Sequence, residues 1–345
     1  MTHAVNPSTT EIVLPGVVEP TGLEVRTREL PAPGPGQVVL RMEATGVSFA
    51  EQQMRRGKYY DQPPFPFVPG YDLVGTVTAV GPGVDSGLTG RRFAAVTKIG
   101  AWATQVLIEA ADLVPVPDGV SPAAAETVVV NGITAWQMLH RLAKVRPGGV
   151  VVVLGANGGV GSTLVQLARY AGVRVIGTTS ARHHDTVRAL GATPVDYRAP
   201  GMYHRIRALT PDGADAVFDH VGGPGVARSW GLLRKGGTLV SYGTAATKNE
   251  AGNSRLPVLK LFAQLKLWHT LPNHRSAYFY NFWAGHRDLA AFRRTLAEDL
   301  THVFRLLADG VLDPQIAAEL PLAEAASALT LAESRTIAGK VVLVP

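Results

Sequence analysis

The sequence predicts an α/β protein that combines a doubly wound parallel sheet with a second, smaller domain, a partly open β-barrel. The first observation is the stretch from Val151 to Gly172, VVVLGANGGVGSTLVQLARYAG, in which an apolar run enters a glycine-rich turn and an apolar pattern at helical spacing follows. A second strand, Val173 to Gly177, lies at the distance expected of a crossover unit. The second observation is that short β-rich runs alternate with Pro/Gly turns between residues 10 and 125 or so. The third is length, because 345 residues with 46% hydrophobic content suffice for more than one core.

The glycine-rich turn is typical of a site for the pyrophosphate of a dinucleotide. Glycine permits the sharp turn, the close approach of backbone to phosphate and the close packing of helix on strand. An ordinary strand-to-helix turn is the alternative, and the strand before, the helix after and the second strand argue against it. The candidate cofactor-binding residues of this segment are Gly155, Asn157, Gly158, Gly159, Val160 and Gly161.

The end of the second strand indicates which dinucleotide binds. In an NAD-binding unit, an Asp or Glu roughly 20 residues beyond the glycines holds the ribose 2′-hydroxyl. Here no acid appears before Asp185. Small hydroxyl residues followed by arginine instead suit the 2′-phosphate of NADPH, because guanidinium offers forked donors and a permanent charge. The candidate 2′-phosphate residues are Thr178, Ser180, Arg182 and Tyr197.

Further parallel strands are predicted at residues 215–218 and 238–241, and their carboxyl ends place Val221 and Gly243 among the candidate cofactor contacts. Beyond them we expect a helix over 257–268, an aromatic strand from Ala277 to Trp283 that contains the candidate cofactor contact Tyr280, a long helix over 288–307 and a final strand.

Composition excludes several classes of function. The chain has no cysteine, so it has no disulfide, no thiolate nucleophile and no cysteine-ligated zinc. The net charge of +6 is spread along the chain without a basic block beside aromatics, so nucleic acid is not an expected partner. The start lacks the pattern of a secretory signal, and the longest apolar runs are shorter than the ~20 residues of a membrane span. We therefore expect a cytoplasmic protein without a membrane partner.

Six segments in order resemble the zinc-independent quinone oxidoreductase and enoyl reductase branch of the medium-chain dehydrogenase/reductase superfamily. They are GVSFAEQQMRRGKYYDQPPFPFVPGYDLVGTVTAVG, ADLVPVPDGVSPAAAET, NGITAW, GANGGVG, FDHVGG and the ending LAESRTIAGKVVLVP. The resemblance implies a GroES-like barrel domain over residues 1–126, a Rossmann domain over 127–284 and a return to the first domain over 285–345, with the active site in the cleft between the domains. It also implies a homodimer in which an edge strand of the Rossmann sheet pairs with its copy. The segment from Ala277 to Trp283 suits that role, because it is aromatic and uncharged and a poor edge to leave bare in water.

The positions that hold zinc in other members of the superfamily carry different residues here. Zinc-bearing relatives supply a cysteine early in the barrel and a Gly-His-Glu further on. This chain has Ser48 near the first position and Gly70-Tyr71-Asp72 at the second. Without thiolate or imidazole these side chains do not rebuild a tetrahedral zinc site, so we expect no metal.

The resemblance also suggests residues for the reacting pocket. Ser48 replaces an asparagine near the nicotinamide, and Tyr59 and Tyr71 are candidate catalytic hydroxyls. Glu51 replaces an aspartate, and the sequence leaves open whether it lies in the cleft or on the surface. The remaining candidate cofactor contacts are Asn131 and Thr134 beside the nicotinamide ribose and Arg335 in the tail.

Without zinc, no strong Lewis acid polarises a simple ketone or alcohol, and conjugate hydride transfer is the reaction that the resemblance leaves. The expected function is NADPH-dependent hydride transfer to a quinone or to the C=C bond of an α,β-unsaturated carbonyl, with a tyrosine or water as the proton donor. Two alternatives stay open. One is a non-catalytic NADPH-binding protein that acts as a sensor, an RNA-binding protein or a structural protein. The other is a biosynthetic carbonyl reductase or reductive cyclase.

Overall fold

The computed structural model describes residues 8–245, 255–334 and 336–345, with only the backbone described for 255–257. The strands are β1 (Ser8–Val13), β2 (Glu24–Glu29), β3 (Gln37–Val47), β4 (Asp72–Val80), β5 (Arg92–Val96), β6 (Gln105–Glu109), β7 (Val114–Pro115), β8 (Val150–Leu154), β9 (Arg174–Thr179), β10 (Ala192–Asp196), β11 (Ala214–Asp219), β12 (Leu233–Ser241), β13 (Ser276–Phe279), β14 (Ile316–Pro321) and β15 (Lys340–Val344). The helices are α1 (Phe49–Arg55), α2 (Pro122–Trp136), α3 (Gly159–Tyr170), α4 (His184–Ala189), α5 (Met202–Leu209), α6 (Val226–Gly231), α7 (Arg255–Thr270), α8 (Leu289–Ala308) and α9 (Ala325–Glu333).

The chain divides into two compact units. Unit 1 comprises residues 1–133, 287–310 and 314–345, and unit 2 comprises 134–286 and 311–313. The division falls within helix α2, so Asn131 belongs to unit 1 and Thr134 to unit 2. In the described parts of both units, no helix is long and apolar enough to cross a membrane.

Unit 2 contains a six-stranded sheet in the order β10-β9-β8-β11-β12-β13, and every pair in it is parallel. The order reverses between β8 and β11, which creates the switch point where open α/β sheets bind ligands. The central strand β8 is apolar because both of its faces are covered, and Val151, Val152 and Val153 are fully buried. The predicted doubly wound parallel sheet is therefore confirmed.

Strand β13 forms one edge of this sheet and is shorter than the sequence pattern predicts. The predicted strand extends to Trp283, whereas the observed strand ends at Phe279. The reason is a local turn, in which the Asn281 side chain accepts a hydrogen bond from the amide of Trp283 at 3.0 Å. Asparagine favours such turns over the continuation of a strand.

Unit 1 contains a seven-stranded sheet in which the long strand β3 pairs with β4, β6 and β15. All three partners are antiparallel to β3, as expected of the predicted barrel domain. Its core includes Trp102, whose indole N–H donates to the carbonyl of Gly46 at 3.0 Å. Because Val47 is the last residue of β3 and Asp72 is the first of β4, Ser48 and Tyr71 lie at the same end of this pair. Lys340 lies at that end too, since Val341 of β15 pairs with Val47.

Candidate active site

The glycine-rich turn joins β8 to α3, and packing explains two of its glycines. Gly155 has a φ of +76°, and a Cβ there would lie 2.3 Å from Cε1 of His220. A Cβ on Gly161 would lie 2.1 Å from the carbonyl oxygen of Gly155. Side chains at either position would push the helix away from the strand, so glycine keeps the start of α3 close to the end of β8.

The N-terminus of α3 fits a phosphate group. Its N-cap residue is Gly158, and no side chain caps the helix. Asn157 does not cap either, because its Oδ1 accepts a hydrogen bond from Oγ1 of Thr179 at 2.8 Å. A 12-residue helix whose first amides have no side-chain cap presents donors and the positive end of its dipole to an anion. Gly159 and Val160 form the first turn, so the predicted loop and helix residues are adjacent in space.

The end of β9 carries the predicted 2′-phosphate residues in two different settings. Thr178 and Ser180 are buried, and Thr178 Oγ1 accepts from the amide of Gly155 at 3.0 Å, so this threonine supports the turn. Arg182 is exposed and has no ion-pair partner among the described residues. Tyr197, after β10, is 47% exposed, and its amide donates to the carbonyl of Thr179 at 3.1 Å. Arg182 and Tyr197 therefore follow the carboxyl ends of paired strands, where the Arg182 guanidinium could pair with a dianion.

A buried carboxylate holds the loop that follows the carboxyl end of β11, and this loop lies close to the loop after β12. Asp219 accepts from the amides of Val221 and Gly222 at 2.8 and 2.9 Å and from Ser229 Oγ at 2.7 Å. A Cβ on Gly243 would lie 2.6 Å from the carbonyl oxygen of His220, so this glycine lets the two loops approach closely.

His220 is a residue of this site that the sequence reasoning missed. Its Nδ1 lies 2.8 Å from the carbonyl oxygen of Leu154, and its ring occupies the space that a side chain on Gly155 would need. The histidine thereby links the end of β8 to the end of β11. The segment FDHVGG was the available signal, since a polar residue after an apolar strand lies at the carboxyl edge of the sheet.

Four predicted cofactor contacts lie elsewhere on the chain. The hydroxyl of Tyr280 donates to Gln137 Oε1 at 2.9 Å within unit 2. Asn131, 6% exposed, donates from Nδ2 to the carbonyl of Thr127 at 3.0 Å, which leaves Oδ1 as its acceptor. Thr134 is buried one turn further along α2. Arg335 lies outside the described residues.

Tyr59 and Tyr71 form a hydroxyl pair in unit 1. Their phenolic oxygens are 3.0 Å apart, and Tyr71 is only 3% exposed. Burial raises the pKa of the Tyr59 phenol far above its usual value, and the neighbouring Tyr71 raises it further. Tyr59 therefore keeps its proton at neutral pH and is a hydrogen-bond donor rather than a source of tyrosinate. The structure brings these two candidates together.

Ser48, the third predicted catalytic residue, begins helix α1. Its Oγ accepts from the amide of Ala50 at 3.0 Å and contacts Glu51 Oε2, which also accepts from the amide of Ser48 at 2.8 Å. Serine and glutamate three residues apart form a capping box, which stabilises the helix start. Glu51 is 2% exposed, so the surface interpretation of this residue is wrong.

Beneath this end of the sheet lies a buried cluster of Asp72, Glu126 and Lys340. Lys340 Nζ lies 3.0 Å from Asp72 Oδ2 and 2.5 Å from Glu126 Oε1. Burial alone would lower the pKa of Lys340, but the carboxylates of Asp72 and Glu126 outweigh it and raise that pKa. Burial raises the pKa of Glu126 well above its usual range. Asp72 Oδ2 also accepts from the amide of Val130 at 3.0 Å, so the cluster ties β4 and β15 to α2.

The residues at the former zinc positions do not fit zinc. The Asp72 carboxylate is already held by Lys340 and Val130, the Tyr71 hydroxyl by Tyr59, and Ser48 by the capping box. The described residues also contain no group of three or more His, Cys, Asp or Glu that could hold a metal ion. A neutral phenol and a hydroxyl are poor substitutes for thiolate and imidazole.

Comparison with known proteins identifies the two parts of the chain. Residues 34–118 match the alcohol dehydrogenase GroES-like domain, and residues 190–343 match the family described as zinc-binding dehydrogenase. The synaptic vesicle membrane protein VAT-1 homolog of Rattus norvegicus is 33% identical over 333 residues, which cover 94% of this chain and 80% of that protein. The 2-haloacrylate reductase of a Burkholderia species is 30% identical over 331 residues, covering 91% of this chain and 92% of the reductase.

Solved structures show the same similarity. The quinone oxidoreductase of Pseudomonas syringae pv. Tomato DC3000 superimposes with a TM-score of 0.83 at 28% identity, covering 98% of this chain and 100% of that one. The mycobacterial protein Rv1454c, solved in complex with NADPH, gives a TM-score of 0.82 at 28% identity with the same coverage. The chain therefore belongs to the medium-chain dehydrogenase/reductase superfamily of oxidoreductases, in the branch of the quinone oxidoreductases and enoyl reductases.

Proposed function

We propose that this protein is an NADPH-dependent, zinc-independent reductase that transfers hydride to a quinone or to the C=C bond of an α,β-unsaturated carbonyl. The observation that carries the proposal is the combination of a glycine-rich turn in unit 2 with the Tyr59–Tyr71 hydroxyl pair in unit 1. Tyr71 of this pair is buried and stands at a position where zinc-bearing relatives have a metal ligand. The 2-haloacrylate reductase and the quinone oxidoreductase among the similar proteins support this class of reaction.

The cofactor assignment rests on the ends of β8 and β9. The uncapped start of α3 would hold the pyrophosphate, and Arg182 with Ser180 and Tyr197 would hold the 2′-phosphate. The NADPH complex of the mycobacterial relative supports this choice. When bound, NADPH supplies the hydride.

The role of the tyrosine pair follows from its protonation. Hydride addition to the β-carbon moves an electron pair toward the carbonyl oxygen and leaves an enolate, so the site must offer donors to that oxygen. Tyr59 and Tyr71 place two phenolic hydroxyls 3.0 Å apart. We assign these hydroxyls to the substrate oxygen, because a phenol O–H is a hydrogen-bond donor. Since burial holds the Tyr59 proton firmly, we assign the pair to binding the oxygen.

We also propose that the protein is a homodimer. Strand β13 is an edge of the sheet in unit 2 and carries Tyr278 and Phe279. Pairing of β13 with its copy would extend the six-stranded sheet across a two-fold axis and cover this edge.

The experiment that tests the function follows NADPH oxidation at 340 nm, the absorbance band of the reduced nicotinamide, with 2-cyclohexenone, 2-chloroacrylate and 1,4-benzoquinone, and with cyclohexanone as the saturated control. We expect turnover with at least one conjugated acceptor and none with cyclohexanone. Turnover with cyclohexanone alone would instead indicate a carbonyl reductase. NADPH binding without turnover of any acceptor would indicate a protein whose role is not catalysis.

A further inference from the structure

Glu51 is a buried acid that the proposed reaction has not yet used. It lies in the first turn of α1, is 2% exposed, and its Oε1 has no hydrogen-bond partner within the described structure. A capping box needs only one carboxyl oxygen, and glutamine supplies it equally well. An ionised carboxylate with one unpartnered oxygen would be costly at this depth. Capping alone therefore does not explain a glutamate in a buried position.

The groups that surround Glu51 favour its neutral form. Asp72 on β4 and Lys340 on β15 both act on it electrostatically, and Glu126 on α2 shares that lysine. One ammonium group thus serves two carboxylates before Glu51 is counted. Burial raises the pKa of Glu51, and Asp72 raises it further, while the Ser48 hydrogen bond and Lys340 lower it without cancelling the increase. The acid keeps its proton above the pH at which an exposed glutamate loses it.

The hydrogen bonds of Ser48 depend on that proton. Ser48 Oγ already accepts from the amide of Ala50. If Glu51 is ionised, the serine hydroxyl donates its only hydrogen to Glu51 Oε2. If Glu51 carries a proton on Oε2, the carboxyl donates to Ser48 Oγ, and the serine hydrogen is released to point elsewhere. The protonation state of Glu51 thereby sets the direction of the Ser48 hydroxyl.

Ser48 is placed where a proton could leave the cluster. It is only partly buried, whereas Glu51, Asp72, Glu126 and Lys340 behind it are all buried. It also lies at the same end of the β3–β4 pair as Tyr71, whose hydroxyl is paired with that of Tyr59. In the hydrogen-bonded pair of Ser48 and Glu51, Ser48 is therefore the partly exposed member, and Glu51 is buried.

We propose that neutral Glu51 is the source of the proton that completes the reduction and that Ser48 delivers it. The inference rests on the proposed function. After hydride has reached the β-carbon, the electron pair of the enolate forms a new C–H bond at the α-carbon with the Ser48 hydrogen, and the Oγ–H bond breaks. The Glu51 Oε2–H bond breaks in turn as its proton moves to Ser48 Oγ. The resulting Glu51 carboxylate recovers a proton from solvent through Ser48 before the next turnover. Glu51 acts through Ser48 and does not itself touch the substrate.

The test compares wild type with Glu51→Gln, Ser48→Ala and Ser48→Thr on 2-methyl-2-cyclohexenone, whose reduction creates a stereocentre at the α-carbon. In wild type we expect kcat to fall as pH rises through the raised pKa of Glu51, because the acid form is required, and one enantiomer of 2-methylcyclohexanone to predominate. Glu51→Gln keeps the capping box but carries no transferable acid proton, so kcat should fall by roughly 10²-fold and this pH dependence should vanish. Ser48→Ala should give a mixture of enantiomers, and Ser48→Thr should restore one.

The matched control is Glu43→Gln, which removes another carboxylate of unit 1, one held by Thr76 and Arg92. It should leave the pH profile and the enantiomer ratio unchanged. Circular dichroism on each variant verifies folding. If Glu51→Gln and Ser48→Ala keep both the pH dependence and the single enantiomer, the inference is wrong and the proposed function stands. If the wild-type protein fails to oxidise NADPH with any of the conjugated acceptors, the proposed function and this inference are both wrong.

Discussion

Replacing Lys340 by methionine would remove the only cation from the buried cluster described above while nearly keeping the length of the side chain. The Lys340 ammonium lies 3.0 and 3.2 Å from the two oxygens of Asp72 and 2.5 Å from Glu126 Oε1, and all three residues are at most 4% exposed. Removing one partner of a buried ion pair costs about 3–5 kcal/mol, because the remaining charge has neither water nor a counter-ion. We expect Lys340→Met to lose about that much free energy of unfolding at pH 8, a large part of the ~5–15 kcal/mol typical of a protein.

The loss should depend on pH in a defined direction. In wild type the raised pKa of Lys340 keeps the ammonium charged, so its contribution is fully present below the pKa of an unfolded lysine and is lost only as pH rises through the higher folded pKa. Between pH 5 and pH 8 the Lys340 ammonium of the wild type therefore stays charged. In the variant, Glu126 has its pKa raised already and can take up a proton as pH falls, which removes part of the unpaired charge. The difference between variant and wild type should therefore be smaller at pH 5 than at pH 8.

Urea unfolding followed by circular dichroism at both pH values measures this difference. The matched control is Lys98→Met, which breaks the partly exposed pair of Lys98 with Asp61 and should cost about 1 kcal/mol or less. Lys340→Arg should recover part of the loss, since it restores the charge in a different shape. A Lys340→Met loss as small as that of the control at pH 8 would refute the reasoning that the cluster needs its cation.

Four further predictions concern the proposed function. NADPH should bind more tightly than NADH by about 2 kcal/mol, because charged hydrogen bonds contribute ~1.5–3 kcal/mol each, and Arg182→Ala should reduce this difference in affinity. Equal affinities for NADPH and NADH by fluorescence titration would contradict the assignment of NADPH as the cofactor. Tyr59→Phe and Tyr71→Phe keep ring packing and should each lower kcat by roughly 10²-fold, because each removes a hydroxyl of the pair that binds the enolate oxygen. Full steady-state activity in both variants and in the double variant would mean that water binds the enolate oxygen instead. Activity should survive exhaustive chelation, and elemental analysis should find no stoichiometric zinc; loss of activity that zinc restores would refute metal independence. Sedimentation at micromolar concentration should show a dimer, and a charged residue in place of Tyr278 on the edge strand β13 should weaken it; a monomeric wild type would overturn the proposal.

Much of the fold could be predicted because local sequence patterns encode it. The apolar run before Gly155 and the helical pattern after Gly161 each have one structural interpretation, and the structure confirms the parallel sheet that they imply. The end of β13 could not be placed in the same way. Aromatic residues continue to Trp283, but the side chain of Asn281 forms a turn that ends the strand, and a single polar residue gives little signal within an apolar run.

The candidate site divides in a similar way. The sequence indicates the glycine turn and the missing acid after β9, because both are properties of neighbouring residues. It does not show that His220 fills the space above Gly155, since these two residues meet only when β8 and β11 lie side by side. The sequence also does not show whether Glu51 is exposed or buried, because a helix of seven residues is too short for its pattern to reveal which face is covered.

The sequence by itself determined the fold class, the glycine-rich turn between strand and helix, the absence of thiolate ligands and the family resemblance. Each of these four properties depends on residue types at short spacing or on composition, and none of them requires knowledge of distant contacts. Only the tertiary structure decided the electrostatics of unit 1. Asp72 and Lys340 come together because β4 and β15 both pair with β3, and Glu126 reaches the same buried end of the sheet from helix α2. Burial strengthens every interaction among these charges, and burial is a property that the folded chain has and the linear sequence does not.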